Sequence, residues 1–475
     1  MNTARAIAFN TAVQLLAKII TAGTSLVVIA YLTRYLGVSG YGDYATIFAY
    51  LGLFNVFVDL GLFVTTVREI AKDPAGERRL LSHILGLRML MGVVVFGLAY
   101  ALTFALPYSP LVRLGVLIGA VSHWFMNLTQ VPLSLFQARL TMHKPAIADV
   151  AGRFVLLGLV LYFISQGFGL LHMVVAVSAG SLIVFLMNLM MVNQTVRVLP
   201  TVHLGTWKRM LMASTPMGIV VILATIYFRI DVVMLSLMKG SFEVGVYSAP
   251  YKILEVLLAV PTIFMSSVLP VITKALIDNF QTAQTIFRKS FDFLAVAAWP
   301  FVVGGILLAT PLMVWVAGPS FNISGPVLAI LIISMIATFL NVVMVYSLVA
   351  AEQQNRLLVP YVIAVVFNVV TNWLVIPHFS YMGAAVTTVL TETLVLICST
   401  YLVIRHLRLG PTWRVFTKSL LASLVMGVAV YYFRDWAVWW LMLMGGLVYV
   451  AMLFLTRAVT KADILEIMPQ FKRLI

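Results

Sequence analysis

Charged residues are scarce in this chain. Lys, Arg, Asp and Glu together make up 10% of its 475 residues, whereas 62% are hydrophobic. A soluble domain needs far more polar surface, so this composition excludes a soluble globular fold. The apolar runs also lack the alternation of polar and apolar residues that is typical of an outer-membrane barrel. The chain is therefore predicted to be an all-α protein that spans a membrane many times.

Residues for catalysis or metal binding are also scarce. Cys398 is the single cysteine, which excludes a disulfide within the chain. The seven His residues are scattered without the spacing of metal ligands. The glycine-rich loop with Lys and Ser or Thr that binds ATP phosphates is missing. The sequence predicts neither an enzyme nor a bound metal or other cofactor.

Long apolar runs fill the chain from end to end. A helix needs about 20 apolar residues to cross a bilayer core of about 30 Å. By this measure we predict a transmembrane helical bundle of about 14 spans. They cover roughly residues 9–33, 43–66, 82–106, 111–138, 145–165, 169–194, 209–238, 245–271, 287–317, 323–350, 357–376, 381–404, 414–433 and 436–456.

The basic residues predict the orientation in the membrane. Of the 31 Lys and Arg residues, 22 fall in loops and tails on the side of the N-terminus and four fall in loops on the opposite side. Cytoplasmic loops retain Lys and Arg, so both termini are predicted to be cytoplasmic. This asymmetry also accounts for the net charge of +15 without a nucleic-acid partner.

The chain contains an internal repeat. Y-G-D-Y-A at residues 41–45 returns as V-G-V-Y-S at residues 244–248, so that Gly42 and Tyr44 match Gly245 and Tyr247 at a shift of 203 residues. We predict two six-helix lobes at 1–200 and 201–408, related by a parallel repeat about an axis along the membrane normal. Residues 409–475 add two spans and a cytoplasmic tail. A duplicated bundle with charges inside it is typical of a secondary transporter.

Ionisable residues inside the apolar spans are the candidate functional residues. A charge at membrane depth costs about 3 kcal/mol or more unless it meets a partner or water. The structural alternative for each is an ion pair or a side chain that reaches the interface. The candidates for binding an anionic substrate are Lys18, Arg88, Arg153, Arg229 and Lys252. The candidates for binding a coupling proton or cation are Asp59, Asp231, Glu255 and Glu392.

Spacing and depth suggest partners for some of these residues. Lys18 and Asp59 both lie about 23 Å below the outer surface, where they could pair. Lys252 and Glu255 are three residues apart on one helix face and could neutralise each other. Arg229 lies at a depth similar to that of Lys252, about 10–14 Å. We therefore expect Arg229 and Lys252 to be the first candidates for a site that holds phosphate.

Specific motifs then point to a family. Residues 34–45 read R-x-L-G-x-x-x-Y-G-x-Y-A, followed by D-L-G-L at 59–62 and R-E-I-A at 68–71. The second half has Y-F-R-I-D at 227–231, V-G-x-Y at 244–247 and V-L-P at 268–270. This pattern resembles the Wzx-type polysaccharide flippases of the multidrug/oligosaccharidyl-lipid/polysaccharide exporter superfamily. The resemblance covers essentially the whole chain.

The resemblance implies a function. Members move undecaprenyl-diphosphate-linked sugars from the cytoplasmic to the outer leaflet of the bacterial inner membrane, using a cavity between two lobes that alternates its access. Lipid-linked oligosaccharide and membrane lipid are then the expected ligands. A polysaccharide polymerase and a chain-length regulator are candidate protein partners.

Three alternatives stay open at this point. The superfamily also contains multidrug and cation efflux transporters, which need accessible carboxylates and an aromatic pocket. It contains lipid II flippases, which also carry two extra helices at the C-terminus. A membrane-embedded glycosyltransferase or polymerase would need a large hydrophilic outer loop, whereas every predicted outer loop is about ten residues or shorter.

Overall fold

The fold is all-α. The computed structural model describes residues 3–458, and the positions of the side chains of residues 3–12, 15 and 217 are not part of that description. Its sixteen helices within the described residues are α1 Thr3–Asp59, α2 Leu62–Lys72, α3 Glu77–Leu102, α4 Pro110–Ala138, α5 His143–Ser165, α6 Leu170–Asn193, α7 Leu204–Met238, α8 Ser241–Leu257, α9 Ala259–Asp278, α10 Phe280–Leu307, α11 Ala309–Ala317, α12 Gly325–Leu331, α13 Ser334–Ala350, α14 Leu358–Leu407, α15 Arg414–Tyr432 and α16 Val438–Leu455.

Eleven helical stretches in the described part are long and apolar enough to cross a membrane. The count is twelve if α12 and α13, which meet at a bend of 46°, form one span. Helices follow from the composition because each backbone N–H and C=O must be bonded within its own segment in lipid. The prediction of a polytopic helical membrane protein is confirmed, and the number fourteen stays a prediction.

Two helices are long enough to cross a bilayer twice, and each is interrupted. The stretch Leu16–Lys72 has 57 residues and Gln354–Leu407 has 54. The backbone leaves the helical region at Gly37 (φ 66°, ψ −176°) in α1 and at Ser380 (φ 49°, ψ −135°) in α14. Both breaks coincide with turns predicted between consecutive spans. The helices α1 and α14 are each divided into two helical segments at these residues.

Side chains and prolines fix the ends of several helices. The Ser109 hydroxyl accepts a hydrogen bond from Val112 N (3.3 Å) and Pro110 occupies the first turn of α4, where a missing N–H costs nothing. At the start of α10, Asn279 Oδ1 accepts from Thr282 N (3.2 Å). These caps satisfy N–H groups that have no partner within the helix.

The described residues form two compact units, 3–245 and 246–458. The first contains α1 to α7 and the first turn of α8, and α7 packs against α1, α2 and α3 within it. Its two apolar cores include Leu81, Leu135 and Trp207 in one and Ile47, Val112 and Val174 in the other. The predicted lobes at 1–200 and 201–408 stay a prediction.

The second unit holds the last two predicted spans against α10. Met426, Leu441 and Tyr449 form a buried apolar cluster with Leu308. The Tyr449 hydroxyl donates a hydrogen bond to the carbonyl oxygen of Val296 in α10 (2.7 Å). The helices α15 and α16 are thereby fixed to the unit rather than attached as independent spans.

Candidate functional site

One face of the second segment of α1 carries polar residues through an apolar helix. Gly52, Asn55 and Asp59 follow one another at spacings of three and four residues, which places them on the same face. Side chains from α3, α4 and α7 meet this face. We call Gly52, Asn55 and Asp59 the polar face of α1.

Asp59 forms a buried ion pair with Arg88 of α3. Arg88 Nη2 lies 2.5 Å from Asp59 Oδ1, and Nη1 donates to the carbonyl oxygen (3.3 Å) and Oδ1 (3.2 Å) of Asn127. The Arg88 side chain is 1% exposed and that of Asp59 is 23% exposed. The predicted pairing of Lys18 with Asp59 is therefore wrong, because Arg88 holds this carboxylate and the Lys18 side chain is exposed.

Asn127 of α4 joins three helices. Its Nδ2 donates to Asn55 Oδ1 (2.5 Å) on the polar face of α1 and to the carbonyl oxygen of His123 (3.0 Å), while its own oxygens accept from Arg88. The side chain is 2% exposed. These hydrogen bonds hold α1, α3 and α4 in one arrangement and position the Arg88 guanidinium against Asp59.

Arg229 of α7 lies beside Gly52, at the N-terminal part of the same face. A Cβ atom added at Gly52 would lie 3.6 Å from Arg229 Cδ and 3.7 Å from Nε, so the side chain passes over a position without a side chain. Arg229 is partly exposed, whereas Asp231, two residues further on, is 1% exposed and accepts a hydrogen bond from Val232 N (2.8 Å). The two side chains thus have different surroundings.

Lys18 and Arg153 are exposed side chains of the first unit. Lys18 lies in the first segment of α1, and Arg153 lies one turn after Asp149, which is also exposed, in α5. The structure brings Asp59 and Arg88 together with Arg229 on the polar face of α1. It describes no bond from that face to Lys18 or Arg153 among the residues that it covers.

In the second unit, Lys252 and Glu255 pair within α8. Lys252 Nζ lies 2.6 Å from Glu255 Oε2, and their side chains are 31% and 24% exposed. The predicted neutralisation within one helix face is confirmed. Lys252 belongs to the second unit and Arg229 to the first, so their joint role stays a prediction.

Glu392 of α14 lies in a buried polar cluster of the second unit. It is 5% exposed, and its Oε2 accepts from the Thr338 hydroxyl (3.2 Å). Nearby, Asn368 Nδ2 donates to the Thr391 hydroxyl (3.3 Å) and Asn372 Nδ2 donates to Asn368 Oδ1 (3.0 Å). Within residues 3–458, no group of three His, Cys, Asp or Glu side chains could hold a metal ion.

The residues missed by sequence reasoning include four asparagines. Asn55, Asn127, Asn368 and Asn372 sit inside apolar helices and carry the hydrogen bonds described above. An uncharged amide in a span is costly without a partner, for the same reason as a charge. A search for Asn in the predicted spans would have found them.

The apolar helices and the buried polar clusters together define the class of protein. The chain is a helical membrane protein in which buried polar clusters run through apolar spans, as they do in transporters. The family model described as "Polysaccharide biosynthesis protein" matches residues 7–276, which is more than half of the chain, and the MatE model matches residues 216–374. The chain belongs to the polysaccharide biosynthesis protein family. The resemblance predicted from the motifs is thereby confirmed.

Two relatives come from Haloferax volcanii. The chain is 22% identical over 386 residues to the "Probable low-salt glycan biosynthesis flippase Agl15", a match that covers 79% of each chain. It is 25% identical over 173 residues to the "Probable flippase AglR". That match covers 35% of this chain and spans about a third (36%) of the length of AglR.

Solved structures show the same fold. The inward closed conformation of the lipid II flippase MurJ superposes with a TM-score of 0.78 at 16% identity and covers 92% of this chain and 97% of that one. An inward-facing multidrug resistance MATE family transporter of the MOP superfamily superposes with a TM-score of 0.66 at 13% identity, covering 89% and 99%. At these identities the likeness concerns the fold alone.

Proposed function

We propose that this protein is a flippase of glycan biosynthesis that moves lipid-linked oligosaccharide from the cytoplasmic to the outer leaflet. The carrier is a prenyl diphosphate, undecaprenyl diphosphate in a bacterial host, and the membrane is the plasma membrane with both termini in the cytoplasm. Access alternates between the two sides while the prenyl chain stays in lipid. The family and the two flippase relatives support this proposal.

The observation that carries the proposal is the polar face of α1. The amide of Asn55 and the carboxylate of Asp59 lie in an apolar span, and the guanidinium groups of Arg88 and Arg229 lie against it. Such polar groups destabilise a membrane protein unless they face water or a polar ligand. Arg229 and Asp59 are partly exposed, so they can contact a ligand, whereas Arg88 is buried beneath Asp59. The planar guanidinium of Arg229 suits the oxygens of a diphosphate. Asn55 offers an amide that suits sugar hydroxyls.

Roles for the remaining candidates are part of the same proposal. Lys18, Arg153 and Lys252 would add positive charge for the diphosphate, and Arg88 would act by holding Asp59. A proton or cation that couples transport would bind at Asp59, Asp231, Glu255 or Glu392. Glu255 pairs with the partly exposed Lys252, so protonation of Glu255 would release a positive charge toward an anionic ligand, whereas Arg88, the partner of Asp59, stays buried.

A vesicle assay tests the proposal. The purified protein is reconstituted with a fluorescent prenyl-diphosphate-linked oligosaccharide, and a membrane-impermeant quencher measures how fast the label moves between leaflets. We expect transfer that depends on the protein and is lost in Arg229→Ala. Arg414→Ala removes an exposed guanidinium at the start of α15, outside the polar face of α1, and serves as the matched control. Transfer that is no faster with the protein than in protein-free vesicles would refute the proposal.

A second candidate function is lipid II flipping. The lipid II flippase MurJ shares the fold over 92% of this chain, so lipid II is a substrate to test. The same vesicles containing lipid II instead of oligosaccharide decide between the two. Faster transfer of lipid II would replace the proposed substrate. Uptake of a cationic dye without transfer of either lipid would assign the chain to multidrug efflux.

A further inference from the structure

The segment between α6 and α7, residues 194–203, lies against the start of α3. Thr201 N donates to the carbonyl oxygen of Ser82 (3.1 Å), and Leu199 N donates to the Ser82 hydroxyl (3.4 Å). A Cβ atom added at Gly86 would lie 2.4 Å from the carbonyl oxygen of Thr201, so the segment can approach α3 this closely because Gly86 has no side chain. We call residues 194–203 the connector.

The connector ends at two stacked imidazole rings. The ring centres of His83 in α3 and His203, the last residue of the connector, lie 4.7 Å apart, and the ring planes differ by 12°. The Thr206 hydroxyl oxygen lies 3.1 Å from His83 Nδ1 and 3.0 Å from His203 Nδ1. In the first turn of α7, Trp207 Nε1 donates to the carbonyl oxygen of His83 (2.8 Å). We call His83, His203 and Thr206 the histidine clip, because they join the start of α7 to α3.

His203 caps α7 with an unprotonated ring nitrogen. Its Nδ1 accepts a hydrogen bond from Thr206 N (3.1 Å). A backbone N–H can only donate, so this nitrogen must present its lone pair and carry no proton. A second proton on the ring would turn the acceptor into a donor and remove the cap. It would also place a positive charge at a helix N-terminus, where the helix dipole disfavours it. The clip therefore requires neutral His203.

The charged groups near the clip do not favour a protonated imidazole. Arg79 lies one turn before His83 in α3 and acts on it by its charge, and the exposed Lys208 and Arg209 follow His203 in α7. The acids of the helices packed around this end of α3 and α7 are bonded to other groups: Asp59 to Arg88, Glu69 to Lys72, Asp73 to the N–H of Gly76 and Glu77 to Arg139. Protons on both imidazoles would place two like charges in stacked rings.

We propose that the histidine clip is a proton-sensitive positioning element, which holds the start of α7 on α3 and releases the connector as the pH falls. Imidazole changes its charge between about pH 5 and 8. The clipped state binds fewer protons than the released state, so the clip is formed above this range and is lost as the pH falls through it. On the predicted topology the clip lies on the cytoplasmic side. It acts on the helix that carries Arg229, and the inference does not depend on which substrate is moved.

Hydrogen exchange of the full-length protein in nanodiscs tests the clip without any transport assay. Peptides that cover residues 198–207 contain the bonded N–H groups of Leu199, Thr201 and Thr206. Exchange is compared at about pH 7.5 and about pH 5.5, on either side of the imidazole titration, after correction for the intrinsic pH dependence of amide exchange. We expect corrected exchange of these peptides to be at least about fivefold faster at the lower pH, equivalent to about 1 kcal/mol. A peptide from residues 120–130 of α4 is the internal reference.

Asparagine variants separate the proton from the contact. Asn is a favourable N-cap whose amide oxygen can accept from Thr206 N, and it gains no proton in this pH range. We therefore expect His203→Asn to keep the connector protected at both pH values, so that the pH effect disappears. His83→Asn removes the stacked ring and should reduce the pH effect. The matched control is His143→Asn at the start of α5, which should retain the full effect.

Three results would overturn the proposal. The first is corrected exchange of residues 198–207 that is equal at the two pH values. The second is a pH effect in His203→Asn as large as in the unchanged protein, and if that variant does not accumulate, an undiminished effect in His83→Asn decides in its place. The third is an equal acceleration in the α4 peptide, because it would show a general loss of packing rather than release of the connector.

Discussion

The ion pair between Asp59 and Arg88 gives the sharpest prediction about stability. Replacing Arg88 by Ala removes a bond of 2.5 Å to Asp59 and two bonds to Asn127 from a side chain that is 1% exposed. It leaves a carboxylate and an amide in an apolar bundle without their donor. We expect Arg88→Ala to reduce the amount of folded protein in the membrane.

The magnitude follows from the burial of the pair. Removing one partner of a buried ion pair costs about 3–5 kcal/mol, because the other charge remains without compensation. The lower end of this range applies here, because the Asp59 side chain that remains is 23% exposed. A loss of about 3 kcal/mol shifts the folding equilibrium on the order of a hundredfold, since every 1.4 kcal/mol is a factor of ten. The thermal midpoint of the detergent-solubilised protein and its abundance in membranes measure this loss.

Two further variants show whether the cause is the unpaired charge. Arg88→Met combined with Asp59→Leu removes both charges and should recover most of the stability, because a buried ion pair is often replaceable by apolar side chains. Lys18→Ala removes an exposed cation of the same predicted set and should leave the midpoint unchanged. A folded Arg88→Ala protein with a normal midpoint would contradict the reasoning.

The remaining predictions concern topology and the candidate ligands. In a Cys398→Ser background, the thiol of Ala75→Cys should be shielded from an impermeant thiol reagent outside intact cells, whereas that of Ser320→Cys should react. Labelling at position 75 would show that the predicted orientation is wrong. Arg229→Ala should abolish lipid transfer at normal abundance, with partial rescue by Arg229→Lys, and a loss of abundance would instead indicate a structural ion pair. Glu255→Gln should lower the free energy of unfolding by less than about 1 kcal/mol, because its pair with Lys252 is partly exposed; a fall of several degrees in the thermal midpoint would show that the pair is structural.

The helical class and the apolar segments that contain ionisable residues could be predicted from the sequence. An apolar composition places the chain in lipid, where each backbone N–H and C=O must be hydrogen-bonded within its own helix. Helix formation can therefore be predicted without knowing any tertiary contact. Lys252 and Glu255 were predicted as a pair because a spacing of three residues fixes their distance on a helix.

The pairing of Asp59 with Arg88 could not be predicted from composition and spacing. Depth places Lys18, Arg88 and Asp59 in the membrane, but it does not state which helices are neighbours. The structure packs α3 and α4 against the polar face of α1, so Arg88 and Asn127 reach Asp59 and Asn55, while Lys18 stays exposed. Contacts between helices far apart in the chain depend on packing, which a single sequence does not reveal.

The bond between Tyr449 and Val296 has a consequence for synthesis in the cell. The two residues are 153 positions apart. At about 5–20 residues per second, Val296 is made roughly 8–30 s before Tyr449. Throughout that interval the face of α10 that α15 and α16 later cover must lie against lipid, a neighbouring helix or an insertion factor. Ribosome stalling or truncation within α15 should therefore leave a membrane-inserted intermediate that is a preferred substrate for membrane proteases.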